Sequence, residues 1–250
     1  MKLSIIIPTL NESQYLPATI LSIREQAVLK EPHEIIVVDC SSTDNTANLA
    51  LQLGVHLVRI EYNVTGRAFA LNKGAEAATG DIFLFVDADT FPPKGYDEAI
   101  KTALEDFKVV GGGFEFALDG EGFGLRLVEI INRLRYRISQ LYYGDQGIFV
   151  RANIFRMIGG CPPRRILEAA HFCASLKQVG KLILIDKPMK TSPRRFLEGG
   201  VYTVLAKDIK IWWLDLMGKP VDQYADTYWE ENLRDKKKDQ SPGSHIIKRG

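Results

Sequence analysis

The sequence is short of most features that would place it at once. Its three cysteines, Cys40, Cys161 and Cys173, stand far apart with no CxxC pair or metal-ligand spacing, which excludes a disulfide scaffold and points to ordinary core packing in a reducing compartment. No sign of charge dominates: 32 Lys and Arg against 31 Asp and Glu leave a formal +1, so the whole-molecule field gives no reason to expect a nucleic acid partner. No apolar run approaches the roughly 20 residues of a membrane span. The N-terminal LSIIIPTL has one lysine before it, no small-residue cleavage site and an early Pro8, and reads as a first strand rather than a signal core. No GxGxxG follows that strand, which counts against a dinucleotide site. Linkers, internal repeats and low-complexity segments are missing up to the tail.

What is present is 250 residues at 46% hydrophobic content, ample for a full core. From residue 3 to about 90, strand and helix patterns alternate: SIII, a helix from about Ser13, EIIVVD, a helix from Ser42, VHLVRI, a helix through RAFALNKGAEAA, then IFLFVDAD. Such alternation predicts right-handed βαβ units and a parallel sheet. Asn11 or Ser13 is expected to cap the first helix and SSTDNT the second. After residue 108 the rhythm changes. VVGGGFEFAL reads as a strand with a glycine bulge, and Leu127, Ile131, Leu134, Ile138 and Leu141 recur at helical spacing over 125–143. LEAAHFCASLKQVG predicts a helix, KLILID a strand, and 199–217 a second amphipathic helix with Trp212 and Trp213. Residues 234–250, with six basic and two acidic side chains, are expected to be disordered.

The chemistry gathers at strand ends. In GDIFLFVDADTFPP a buried-type apolar run delivers Asp87 and Asp89 to one mouth, where two carboxylates call for a bound divalent cation or a ligand hydroxyl. The first strand ends in PTLNE and the second in Asp39. Ligands of open α/β sheets bind beyond such carboxyl ends, although any one of these aspartates alone reads as a helix cap.

In this order and spacing, SIIIPTLNE, EIIVVDCSSTDNT, GRAFALNKGA and FVDADT resemble the nucleotide-sugar-binding half of a family 2 glycosyltransferase, and GDQGIFVRANIFRMIGG and SPRRF resemble a bacterial subgroup of it. The resemblance implies the GT-A fold: an α/β architecture with a Rossmann-like, mostly parallel central sheet flanked by helices, a small acceptor-side subdomain and C-terminal helices. It implies one domain over 1–233, with the nucleotide-sugar half at 1–90 and the acceptor half at 91–233. It implies an inverting transfer from a nucleoside diphosphate sugar, a UDP-sugar first, to a hydroxyl acceptor. Asp39 would take the uracil N–H, Thr9 and Glu12 would line base and ribose, and Asp87 would face the ribose. Asp89 would hold Mn²⁺ or Mg²⁺ against the diphosphate. Arg67, Arg194 and Arg195 would contact the diphosphate or close over it, and Asp145 and Gln146 would touch the acceptor.

One position departs from the family pattern. The general base is expected from the aspartate of an ED pair, and ILEAAHFCASL places Glu168 at the glutamate but Ala169 at the aspartate. Glu168, adjacent and longer, is the expected substitute, ahead of His171. The alternative is a nucleotide-sugar-binding protein with weak or lost transfer. A nucleotidyltransferase is a third reading, against which PTLNESQYL lacks the Gly-rich basic phosphate loop. The expected location is cytoplasmic, with peripheral attachment at the inner face of an anionic membrane through the two amphipathic helices and the basic tail. Burial of both tryptophans in the core or in a homodimer interface is the competing expectation.

Overall fold

The computed structural model describes residues 1–60 and 66–225; the tail at 234–250 lies outside the described residues. The elements run β1 (Leu3–Thr9), α1 (Leu16–Gln26), β2 (Glu34–Asp39), α2 (Thr46–Gln52), β3 (His56–Arg59), α3 (Arg67–Ala77), β4 (Ile82–Phe85), β5 (Thr90–Phe91), α4 (Tyr96–Ala103), β6 (Val109–Leu118), α5 (Phe123–Ser139), β7 (Ile148–Arg151), α6 (Ala152–Met157), α7 (Glu168–Val179), β8 (Lys181–Thr191), α8 (Arg194–Gly199) and α9 (Val201–Leu216). The chain divides into two compact units, Met1–Pro193 and the part from Arg194 onward. No helix among the described residues is long and apolar enough to cross a membrane.

One sheet in the order β3-β2-β1-β4-β7-β6-β8-β5 organises the first unit. β3, β2, β1 and β4 pair in parallel, as βαβ crossovers require. Ile5, Ile6 and Ile7 of β1 and Phe83 and Leu84 of β4 have no exposed surface, which is how a strand covered by helices on both faces reads in sequence. β7 runs antiparallel to β4 and β6, and β8 returns parallel to β6. The β6–β8 register slips between Val109 and Gly111 and again between Phe114 and Glu115. A side chain at Gly111 or Gly112 would collide with the carbonyl oxygen of Phe149 or Ile183 on the neighbouring strands, so the glycine run is what lets three backbones approach.

Two helices begin later than the cap residues suggest: α1 at Leu16 instead of near Ser13, and α2 at Thr46 instead of Ser42. The polar groups expected as caps join one loop to another. Asn11, with φ of 55°, gives its N–H to Ser42 Oγ at 2.8 Å and accepts from the Thr43 N–H at 2.7 Å. The Glu12 N–H reaches Thr46 Oγ1 at 2.8 Å and the Ser13 N–H reaches Asp44 Oδ2 at 3.1 Å. The loops after β1 and β2 are thereby fastened together at the carboxyl edge of the sheet.

Helix α5 is attached by a side that mixes apolar and polar groups. Glu129 accepts from the Leu118 N–H at 2.7 Å, and the Tyr136 hydroxyl accepts from the Phe116 N–H at 3.3 Å while donating to buried Glu115. Its buried positions are Leu125, Val128, Glu129 and Tyr136. Of the stripe anticipated from Leu127 to Leu141, Leu134 is 60% and Ile138 83% exposed, while Leu127, Ile131 and Leu141 are partly covered.

Candidate active site

The sheet brings Thr9, Asp39 and Asp87 to neighbouring strand ends, since β1 lies between β2 and β4 and Thr9 is in register with Asp39. Thr9 is buried and its hydroxyl donates to the Val38 carbonyl at 3.2 Å. Asp39 is completely buried, and neither carboxylate oxygen has a hydrogen-bond partner; Arg59 Nε approaches Oδ2 only to 3.7 Å. A buried carboxylate without hydrogen-bond donors is costly to a fold, and this one stands at the end of β2. Glu12, just after β1, is also buried.

Arg67, the first residue of α3, joins two halves of the site. Its Nε and Nη2 donate to Asp87 Oδ1 at 2.9 and 2.6 Å, and its Nη1 donates to Glu168 Oε1 at 2.8 Å. Burial by itself would lower the guanidinium pKa, but Asp87 and Glu168 outweigh it and hold the group more firmly protonated than usual. A side chain at Gly144 would overlap Nη2 of Arg67, so the turn of GDQG packs directly on this ion triad. The approach of α7 to β4 is set by aromatic packing: Phe172 meets Phe85 edge-on at 6.1 Å, and Phe155 contacts both rings at 5.5 Å. Glu168 is the first residue of α7, and Ala169 beside it is buried.

Asp89 is buried and its backbone carbonyl accepts from Ser192. Among the described residues no three His, Cys, Asp or Glu side chains gather as a metal cage. Asp87 and Asp89 nevertheless supply hard oxygen donors at one strand mouth, a set that suits a cation completing its shell with phosphate oxygens.

The other anticipated residues have these surroundings. Gln146 has no exposed surface: its amide donates to the Phe114 carbonyl at 3.0 Å and accepts from the Tyr143 N–H at 3.0 Å, so it holds the turn. Asp145 is half-buried and acts electrostatically on Arg135, whose guanidinium stacks 3.6 Å from the Tyr143 ring; the spacing of these residues gave no sign of that stack. Arg194 and Arg195 open the second unit, where Arg195 Nη1 binds Asp208 of α9 at 3.0 Å. The cysteines carry no nucleophile. Burial, with Asp39 nearby, pushes the Cys40 thiol up to about 11, and burial raises Cys173 to about 12.

Residues 4–161 match the family model for glycosyl transferase family 2. The chain belongs to that family. Among curated proteins it is 34% identical over 160 residues to the undecaprenyl-phosphate 4-deoxy-4-formamido-L-arabinose transferase of Serratia proteamaculans, covering 60% of this chain and 48% of that protein. It is 33% identical over 181 residues to the protein of the same name from Yersinia enterocolitica, covering 69% and 52%. The chain thus spans about half the length of these relatives. Solved structures with the same fold include S. aureus TarS, at TM-score 0.62 and 20% identity over 84% of this chain and 40% of that one. Another is the mannosyltransferase PcManGT from Pyrobaculum calidifontis in complex with GDP-Man and Mn²⁺, at TM-score 0.60 and 21% identity over 83% and 64%. The fold of this family 2 member is GT-A, as the sequence resemblance implied.

Proposed function

We propose that the chain is an inverting transferase that takes a sugar from a uridine diphosphate donor with the help of Mn²⁺ or Mg²⁺. The observation that carries this reading is Asp39, a fully buried carboxylate with both oxygens unsatisfied at the end of β2. The imide N–H of uracil is the donor it lacks. Thr9 and Glu12 line base and ribose, Asp87 takes a ribose hydroxyl, and Asp89 holds the cation with Arg67 beside it. When bound, that cation supplies charge stabilisation to the leaving diphosphate. Support comes from fold neighbours crystallised with UDP-GlcNAc and with GDP-Man and Mn²⁺.

The acceptor follows from what α7 lacks. With Ala169 at the expected base position and Oε1 of Glu168 engaged by Arg67, only Oε2 remains to accept a proton from a hydroxyl. A phosphate monoester arrives already ionised and needs no base. The two curated relatives are named for a lipid phosphate, so the lipid-phosphate class is the preferred acceptor, with hydroxyl acceptors served slowly through Glu168. Ala169 also favours a second reading, a donor-binding protein with little transfer. Calorimetry with UDP- and GDP-sugars in Mn²⁺ and in chelator, on wild type and Asp89→Ala, followed by transfer assays on phosphate and hydroxyl acceptors, tests these together. Mn²⁺ should tighten wild-type binding and leave Asp89→Ala unaffected. Equal affinity in chelator and Mn²⁺ would overturn the metal assignment, and absence of nucleotide binding the function itself. Binding without transfer to either acceptor would establish the second reading.

A further inference from the structure

Helix α5 carries a second apolar side that is turned outward. At about 100° per residue, Phe123, Leu127, Ile130, Ile131, Leu134 and Ile138 fall within an arc of about 100°, nearly opposite the side that binds β6. Phe123 is 80% and Ile130 53% exposed, in line with Leu134 and Ile138. A contiguous apolar stripe along a 17-residue helix exceeds the scattered exposed side chains of an ordinary surface.

The charges beside the stripe bear on its occupant; Asp119 and Glu121, both exposed, precede the helix. α5 carries Arg126, Arg133, Arg135 and Arg137 against one glutamate, Glu129. Arg126, Arg133 and Arg137 form one rim of the stripe and are each about half exposed, at 49%, 50% and 53%. Their carboxylate partners, Glu129 and Glu115, are buried, so the rim is positive towards solvent; Asp186 reaches it weakly, 3.9 Å from Arg137. A second copy laid along the stripe would bring no counter-charge from its own α5, because its one carboxylate there is buried. Anionic lipid headgroups supply that charge, and the acyl boundary receives the apolar side chains.

We propose that α5 is the membrane-docking face of this protein, lying in the plane of an anionic bilayer with Phe123, Ile130, Leu134 and Ile138 inserted and the arginine rim at the headgroups. The contact does not depend on donor or acceptor identity. Flotation with vesicles of equal parts phosphatidylglycerol and phosphatidylcholine, against phosphatidylcholine alone, tests it on the full chain. Wild type should float with the anionic vesicles at low salt, and Leu134→Glu/Ile138→Glu should lower partitioning at least about tenfold. Both positions are solvent-exposed, and an unchanged thermal transition of the variant serves as the folding control. Failure of wild type to float, equal flotation of a folded variant, or a solution dimer by light scattering that the variant dissolves would each overturn the proposal.

Discussion

Asp39→Ala separates what the fold needs from what the ligand needs. The side chain is fully buried and accepts no hydrogen bond, and its ion-pair contact among the described residues is an arginine that is 65% exposed. Truncation therefore removes a desolvated charge and little packing. Relief of an unsatisfied buried acceptor is worth about 1–3 kcal/mol, so the variant should be as stable as wild type or more so in urea titration. Nucleotide binding should move the other way. A hydrogen bond from a base N–H to a carboxylate contributes about 1.5–3 kcal/mol, and its loss weakens Kd about 10- to 150-fold. Calorimetry with UDP in Mn²⁺ reads that change directly, and uridine in place of UDP isolates the base from the diphosphate. A variant that lost more than about 1 kcal/mol of stability while binding UDP normally would refute the reasoning, because Asp39 would then be a structural residue.

Ala169→Asp should raise transfer to a hydroxyl acceptor at least about tenfold, a cautious part of the 10²- to 10⁴-fold worth of a positioned base, and leave transfer to a phosphate acceptor unchanged; parallel initial-rate assays check it, and no gain for the hydroxyl with donor binding intact would misplace the base. Asp97 answers to pH. Its burial would raise its pKa, but donors at the Leu29 N–H, His33 and the Val28 N–H outweigh burial and lower it. Its stabilisation is thus complete above the ordinary carboxylate value of about 3.9 and fades as pH falls through the lower folded value. Asp97→Asn should flatten that acid limb in thermal melts and cost about 1.5–3 kcal/mol at neutral pH.

Half of the candidate site was legible because strand ends have a simple grammar. A short apolar run that stops at an acidic residue places that residue at the carboxyl edge, and this located Asp39, Asp87 and Asp89 without any knowledge of pairing. Gln146 shows the limit. Nothing in GDQG distinguishes an amide aimed at a ligand from one closing a turn onto Phe114. The cap residues misled for a related reason: Asn11 and Ser42 have the chemistry of helix caps, and long-range loop contacts used it first. α5 exposes a deeper ambiguity. Periodicity reveals a stripe but not its direction, and here Leu125 and Val128 are buried together with Glu129 and Tyr136, which find partners on β6, so the helix packs by a side other than the anticipated stripe. The ion pair of Arg67 with Glu168 spans 101 positions and no local pattern could announce it.

Gly144 gives experimenters an unusually small lever. Because the Arg67 guanidinium fills the space where a methyl would stand, Gly144→Ala changes no charge, no donor and no acceptor, yet obliges that guanidinium to shift against the two carboxylates gripping it. An arginine substitution deletes position and charge together. The added methyl alters position alone, and so measures how finely the junction of Arg67 with Asp87 and Glu168 must be set.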